Sequence, residues 1–220
     1  MQFGFGVDRE PSYAARWTPG HALEGLPARA AMVAPIASEV QDESMSHQRG
    51  PELRHIVVIR HAKSSWDDPS VADHDRPLSK RGRNALARLR DHIEGLELRP
   101  ELIMCSSSRR TRETLAGIRT AFGRKARVKS DSSLYAASAE QLVAALRRLD
   151  DQVNTVVLIG HNPGVADLVD LLAAASANGR VAIDKFPTAG VAVLSVTGPW
   201  SALRPASAIL ESFWAPRQQR

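Results

Sequence analysis

Short runs of apolar residues recur along the chain from residue 55 onward. Most are rich in Val and Ile and end in small or polar residues, which is typical of buried strands that leave a sheet. The runs predict six strands, at residues 55–60, 102–105, 127–130, 155–159, 190–196 and 207–214.

The segments between these strands carry apolar residues at helical spacing. Helices are predicted at about 79–94, 108–123 and 138–149, and from 162 onward. In the first and the last of these helices, apolar positions three and four apart define a buried face. They are Leu86, Leu89, Ile93 and Leu96, and then Val165, Leu168, Val169 and Leu172.

Residues that favour helix starts stand at the borders of these segments. Ser79 is predicted to cap the first helix, and Ser138 with Gln141 forms a capping-box pair before the third. Asn162 is predicted to cap the fourth helix, with Pro163 in the first helical position.

The alternation of strands and helices predicts an α/β protein, a three-layer sandwich whose mostly parallel sheet is flanked by helices. A chain of 220 residues suits one such domain. Residues 1–50 differ, because they carry four prolines and no sustained apolar period. We expect residues 1–50 to form a disordered extension and residues 51–216 to form the domain.

The composition narrows the class of protein. The net charge is +5, but only 5% of the residues are aromatic and Lys and Arg are scattered, so we expect anionic substrates and no nucleic-acid partner. No apolar run approaches the roughly 18–20 residues of a membrane span, and the start lacks a signal-peptide pattern. We therefore predict a cytoplasmic protein without a membrane partner. The lone Cys105 excludes an internal disulfide within the chain.

Two histidines stand at the carboxyl ends of predicted strands. His61 follows the first strand and His161 follows the fourth. Ligands of open α/β sheets bind outside the carboxyl ends of the strands, so both imidazoles are expected at one crevice. Arg60 stands beside the first histidine, and this pairing suggests phosphate chemistry on a histidine nucleophile.

The loop 60–64 supplies the groups that such chemistry needs. A neutral imidazole such as His61 is a competent nucleophile near neutral pH, because its ordinary pKa is about 6.5. An arginine such as Arg60 holds two oxygens of a phosphoryl group. Lys63 and Ser64 add a cation and a hydroxyl, so the loop is expected to bind the substrate phosphate.

Two further segments turn from a strand into a helix, at 106–114 and 160–164. Helix amino termini attract phosphate through unpaired N–H groups. Ser106 and Asn162, at these turns, are expected to contact the substrate.

Three arginines, Arg109, Arg110 and Arg112, lie at the second strand-to-helix turn. At 100° per residue they cannot all point the same way, so at least one is expected on the surface.

Several motifs between residues 54 and 214 resemble those of the histidine phosphatase superfamily, which includes cofactor-dependent phosphoglycerate mutase. Arg60 and His61 match the family's Arg-His-Gly, with Ala62 where glycine is usual, and one subgroup has Arg-His-Ala-Lys-Ser as here. The family's Arg-Pro-Leu-Ser with a following Gly matches Arg76 to Ser79 and Gly82. Its Ser-Pro-x-x-Arg-x-x-Gln-Thr matches Ser106, Arg110 and Thr114, with Ser107 and Glu113 as departures. Its late histidine matches His161, and its Phe-Pro-Thr-Ala matches Phe186 to Ala189.

The chain looks most like the short SixA-type branch of bacterial phosphohistidine phosphatases. The resemblance implies a phosphoglycerate mutase-like fold in which His61 accepts the phosphoryl group. It implies that Arg60 and Arg110 clamp the phosphate and that His161 stabilises the transferring group. No metal and no other cofactor is expected.

The protonation of the leaving group remains open at this point. Larger members of the superfamily supply a glutamate after the third strand, whereas residues 131–135 are short and contain none. Asp131 and Tyr135 are the candidate general acids. A site without an acid suits leaving groups that depart easily, such as the imidazole of phosphohistidine, and a short insert leaves the crevice open to a protein.

We therefore expect a phosphatase that transfers a phosphoryl group to a histidine and then to water, with a phosphorylated protein as the partner. The first alternative is a small-molecule phosphomonoesterase that acts on sugar or nucleotide phosphates. A further alternative is a non-catalytic phosphate-binding protein, against which the intact Arg60, His61, Arg110 and His161 argue.

Overall fold

The computed structural model describes residues 53–173 and 185–216. The strands of this part are β1 (Leu53–Arg60), β2 (Leu102–Ser106), β3 (Arg127–Asp131), β4 (Thr155–Gly160), β5 (Val191–Thr197) and β6 (Ala208–Trp214). Its α-helices are α1 (Lys80–Gly95), α2 (Arg109–Ile118), α3 (Ala139–Leu146) and α4 (Gly164–Leu172). The predicted strands are confirmed, with ends that differ by one or two residues. The prediction for residues 1–50 lies outside the described residues.

The strands form one mixed sheet with the order β3-β2-β4-β1-β5-β6. The four strands from β3 to β1 are parallel, and β5 is antiparallel to both of its neighbours. In the register of the β1–β4 pair, Arg60 lies opposite Gly160. The residues that follow β1 and β4 therefore leave the sheet side by side.

Apolar side chains alternate between the two faces of the sheet. Ile56 and Val58 of β1 belong to one core, which includes residues of α3 and α4. Val57 and Ile59 belong to a second core, which includes residues of α1 and α2. Helices thus cover both faces of the sheet, and the predicted three-layer α/β sandwich is confirmed.

The helices agree with the sequence except at some of their ends. Ser79 caps α1 by accepting a hydrogen bond from the Gly82 amide, and the capping box of Ser138 and Gln141 is present. The second helix is shorter than predicted, because a 3-10 turn at Arg119–Phe122 replaces its last part. The third ends at Leu146, where i→i+3 hydrogen bonds tighten the chain into a turn.

The predicted cap of the fourth helix is wrong. The side chain of Asn162 donates from Nδ2 to the carbonyl oxygen of Phe186, 3.1 Å away, and makes no cap hydrogen bond. Pro163 occupies the N-cap position, one residue before the first helical residue. A contact between distant segments has therefore taken the side chain that local pattern assigned to the helix.

Candidate active site

A cavity of about 250 Å³ opens beside the carboxyl end of β1. It is lined by groups from four separate segments: Arg60, His61, Lys63, Ser64, Trp66, Asp73, Arg76, Arg110 and Thr188. Because β1 and β4 are parallel neighbours, His161 lies close by, and the ring centroids of His61 and His161 are 5.1 Å apart. The predicted meeting of the two imidazoles at one crevice is observed.

The His61 ring is oriented by its own backbone. Its Nδ1 lies 2.7 Å from the carbonyl oxygen of Ala62, which can only accept, so in the neutral ring Nδ1 carries the proton. Its Nε2 then keeps a lone pair. Burial above all, helped by neighbouring cationic groups, lowers the pKa of His61 to about 3. The ring is therefore neutral at physiological pH.

Arg110 approaches this free nitrogen from the first turn of α2. Its Nε lies 3.3 Å from His61 Nε2. The other guanidinium nitrogens donate to Asp73, one to its carboxylate at 2.9 Å and one to its carbonyl oxygen. Arg109 is exposed and pairs with Glu113, and Arg112 is exposed too. The prediction that the arginines of this helix diverge is confirmed.

Arg60 enters the cavity from the end of β1. Its Nη1 donates to the Phe186 carbonyl oxygen at 2.6 Å, the same oxygen that accepts from Asn162. Its Nε is buried and has no hydrogen-bond partner within the described residues. Burial lowers the pKa of Arg60 from its ordinary value. The unpaired Nε is a donor that an incoming anion can satisfy.

His161 follows β4 and is held by Ser106, the last residue of β2. Its Nε2 lies 2.8 Å from the hydroxyl of Ser106, which is fully buried. Its Nδ1 is buried without a partner in the part of the chain that the structure describes. Burial is the main reason that the pKa of His161 is lowered to about 4. Ser106 is thus a support for His161 and is not among the residues that line the cavity.

Asp73, which the sequence analysis missed, links several of these groups. Its carboxylate accepts from Tyr135 at 2.6 Å, from Arg110 at 2.9 Å and from Arg76 at 3.0 Å. The Tyr135 hydrogen bond is the largest cause that lowers the pKa of Asp73 to about 2. An anion of the protein therefore lies within a cationic cavity. Its signal in the sequence was only the i,i+3 spacing of an acid before the motif arginine Arg76.

Arg76 was matched to a motif, but the sequence assigned it no role. Its side chain is buried, donating from Nε to the Ser65 carbonyl oxygen at 2.7 Å and from Nη2 to the Ser64 hydroxyl at 3.1 Å. Its guanidinium carbon lies 3.1 Å from the ring centroid of Trp66. Arg76 is the third arginine among the residues that line the cavity, and it fixes the loop that follows β1.

The two candidate general acids have different positions. Asp131 accepts two hydrogen bonds from Ser133 and pairs with Lys129, and the Ser133 contacts chiefly lower its pKa to about 2. Asp131 does not line the cavity, and its role as a proton donor stays a prediction. The ring of Tyr135 packs edge-on against His161, with centroids 5.4 Å apart. Its hydroxyl already donates to Asp73, and this hydrogen bond raises the pKa of Tyr135.

The predicted substrate contacts also divide. Lys63 and Ser64 line the cavity, whereas Asn162 is occupied by the Phe186 carbonyl and lies outside the lining. Gly82 is needed behind this loop, because a Cβ there would overlap the Lys63 carbonyl. Helix α1 therefore packs directly on the loop.

Helix α2 supports the same loop from another side. The Ala62 amide donates to the Thr114 hydroxyl at 3.0 Å. Glu113, a departure from the family motif, accepts from the Leu78 amide at 2.7 Å. Glu113 thus has a hydrogen-bond partner in the segment just before α1.

No group of three or more His, Cys, Asp or Glu side chains among residues 53–173 and 185–216 is arranged to hold a metal ion. In the same residues, no helix is both long and apolar enough to cross a membrane.

The fold and the site together define an α/β protein with a cavity lined by a histidine and three arginines at the strand ends. Comparisons agree with this class. Residues 56–135 match the model of the histidine phosphatase superfamily (branch 1). An uncharacterized protein of Mycobacterium tuberculosis is 34% identical over 163 residues, which cover 72% of this chain and 100% of the relative.

Solved structures point to one branch. A Nakamurella multipartitia protein assigned as a phosphohistidine phosphatase SixA is 29% identical, with a TM-score of 0.66 over 76% of this chain and 99% of the other. An Agrobacterium tumefaciens protein assigned in the same way is 26% identical, with a TM-score of 0.61 over 74% and 98%. The chain belongs to the histidine phosphatase superfamily, in its SixA-type branch. It is a phosphatase and hence a hydrolase.

Proposed function

We propose that this protein is a phosphohistidine phosphatase in which His61 accepts the phosphoryl group and water then releases it. The carrying observation is the His61 ring itself: its Nδ1 lies against the Ala62 carbonyl oxygen, which assigns the proton to Nδ1, and its Nε2 lies 3.3 Å from Arg110 Nε. The lowered pKa keeps this nitrogen unprotonated at physiological pH. An unprotonated, oriented imidazole is what attack on phosphorus requires.

Three arginines would neutralise the transferring group. A phosphoryl group carries about two negative charges, and its transfer depends mostly on positioning and charge stabilisation. Arg110 already touches His61 Nε2, the buried Nε of Arg60 is unpaired, and Arg76 lines the same cavity. We assign Arg60 and Arg110 as the phosphate clamp.

His161 would act on the same group from the side. Its ring lies next to that of His61, and its buried Nδ1 has no partner in the described residues. A phosphate dianion beside it favours the charged imidazole, so substrate binding is expected to raise the pKa of His161 and turn the ring into a donor. Ser106 fixes its orientation through Nε2.

The first step forms the bond from His61 Nε2 to phosphorus and breaks the P–N bond of the substrate, whose imidazole leaves with its electron pair and takes a proton from water. In the second step, water attacks phosphorus, the Nε2–P bond breaks, and inorganic phosphate leaves. The described residues place no carboxyl with a raised pKa in the cavity, since Asp73 is held ionised by its hydrogen bonds. A leaving group that needs little help from an acid suits this site.

The size of the cavity favours a macromolecular substrate. Pockets that enclose a whole small molecule measure roughly 300–1,000 Å³. About 250 Å³ suits a phosphoryl group and the ring that carries it, presented by a larger molecule. The proposal includes three further parts: the reaction needs no metal, it needs no other cofactor, and the partner is a phosphorylated protein.

Trapping the intermediate tests the proposal. The full chain is mixed with a phosphohistidine peptide, quenched in base, and its acid-labile phosphate is located by mass spectrometry. We expect the label on His61 in the wild type and in His55→Ala, which changes a β1 histidine outside the cavity lining. We expect no label in His61→Asn. A label elsewhere, or turnover of sugar or nucleotide phosphates above that of the peptide, would overturn the assignment.

A further inference from the structure

Trp66 is a large apolar side chain that is 74% exposed, and it borders the cavity. Single exposed apolar residues are common on protein surfaces and need no explanation. This one lies in the lining that also contains His61, so it stands beside the region that a substrate must cross.

The indole of Trp66 is held in place by a fixed cation. The Arg76 guanidinium covers one face of the ring at 3.1 Å, in a cation–π contact. Arg76 is itself anchored by the Ser65 carbonyl, the Ser64 hydroxyl and the Asp73 carboxylate. One face of the ring is thus covered by a rigid partner, while the residue as a whole stays 74% exposed.

The backbone on both sides of the indole is tied down as well. Ser64 forms an isolated antiparallel bridge with Leu78, and the Ser65 amide donates to the Pro77 carbonyl at 2.8 Å. The Ser65 hydroxyl donates to Asp67 at 2.6 Å. Ordering this side chain on binding therefore costs little conformational entropy.

The direction of phosphoryl transfer assigns a role to the indole face of Trp66 that Arg76 leaves open. The attacking and leaving atoms lie roughly in line through phosphorus. The leaving group must therefore lie away from the buried His61 Nε2, on the open side of the cavity, where the exposed lining residues are Lys63, Trp66 and Asp73. A planar ring placed there can stack on the indole.

We propose that the open face of Trp66 is a specificity subsite that stacks on the planar leaving group of the substrate, the imidazole of a phosphohistidine. This inference rests on the proposed function. It adds that the enzyme selects its substrate by the ring that bears the phosphoryl group as well as by the phosphoryl group.

Four substrates separate the effect of a ring in the leaving group from the effect of the bond to phosphorus. A phosphohistidine peptide and phosphoramidate both have a P–N bond, with and without a ring. Phenyl phosphate and acetyl phosphate both have a P–O bond, again with and without a ring. For each substrate, kcat/KM of the full-length Trp66→Ala variant is divided by that of the wild type, so the intrinsic reactivity of the leaving group cancels.

We expect Trp66→Ala to lower kcat/KM about tenfold for the ring-bearing substrates, the size of one aromatic stacking contact, and by less than about twofold for the others. Trp66→Phe keeps a ring and should retain most of the activity, whereas Trp66→Leu should behave like Ala. Inhibition by orthovanadate, which has no leaving-group ring, should stay the same in all three variants. Ile209→Ala removes an apolar residue on β6 that is 64% exposed, and it is the matched control.

Equal losses for all four substrates, or weaker vanadate inhibition, would overturn the subsite and make Trp66 a support for Arg76. No loss for any substrate would overturn it as well. If the wild type turns over only the P–O pair, the proposed phosphohistidine activity fails, and the stacking role of Trp66 is then decided on that pair alone.

Discussion

The Nε of Arg110 lies 3.3 Å from Nε2 of His61, the nitrogen that keeps its lone pair. A cation is thus held against the proposed nucleophile before any substrate enters. Helix α2 supplies this arginine and β1 leads into the histidine, so the contact joins two layers of the sandwich. An incoming phosphoryl group would lie between them and take over the Nε–H as a charge-assisted donor.

Removal of the nucleophile is the first test. His61→Ala should keep the fold and lower kcat by about a thousandfold or more, because the attacking nitrogen is lost. Each tenfold loss of rate corresponds to about 1.4 kcal/mol of activation free energy. Steady-state kinetics with circular dichroism would measure both effects. His55→Ala is the control, and near-normal turnover in His61→Ala would rule out His61 as the acceptor.

The shape of the clamp is the second test. Arg110→Lys keeps the charge but loses the planar fork that reaches His61 and Asp73 together, so we expect kcat/KM to fall about a hundredfold. Arg109→Lys, on the neighbouring exposed arginine, should change kcat/KM by less than about twofold. If Arg109→Lys caused the larger loss, the assignment of the clamp to Arg110 would be wrong.

The carboxylate inside the cationic cavity gives a third prediction. Asp73 engages Arg76 and Arg110 in the absence of substrate, so it competes with phosphate for their N–H groups. Asp73→Asn should therefore strengthen orthovanadate inhibition, by about tenfold, since removal of a like charge favours a bound anion. Inhibition constants measure the effect.

The matched control for this change is Asp75→Asn. Asp75 lies on the same 3-10 turn but pairs only with His74 among the described residues, and it does not line the cavity. Its vanadate inhibition should equal that of the wild type. Weaker inhibition in Asp73→Asn would show that the carboxylate orients the arginines more than it competes with the ligand.

The buried histidines make stability depend on pH. The pKa values of His61 and His161, about 3 and about 4, lie below the ordinary 6.5, so between these limits the unfolded chain takes up protons that the folded protein refuses. The free energy of unfolding should fall as the pH drops from 6.5 to 5, by about 1 kcal/mol per pH unit for each histidine once it titrates fully in the unfolded chain. Asp73, with a pKa of about 2, loses its contribution only below its ordinary 3.8, outside this window.

Urea unfolding between pH 5 and 7 measures the slope. His61→Gln should flatten it relative to the wild type, because one of the two titrating groups of the site is gone. An identical slope in His61→Gln would mean that the folded protein protonates His61 as readily as the unfolded chain does.

The sequence alone determined the strands, most of the helices and the order of the layers. Near-continuous apolar runs such as 55–60 and 155–159 can be buried on both faces only in a sheet covered by helices. Each run is short, so the pattern can be recognised directly in the sequence. The sequence also placed His61 and His161 at one edge of the sheet, because parallel strands end on the same side. Arg110 was found from its motif.

The tertiary structure decided which partners these residues have. Asp73 became the link between Arg76, Arg110 and Tyr135. Its contact with Arg76 is local, at i,i+3, but those with Arg110 and Tyr135 span 37 and 62 positions, and no local spacing records them. Asn162 turned to the Phe186 carbonyl and Ser106 to His161 for the same reason. Hydrogen bonds between side chains depend on directions in space, and these are fixed only when the segments pack.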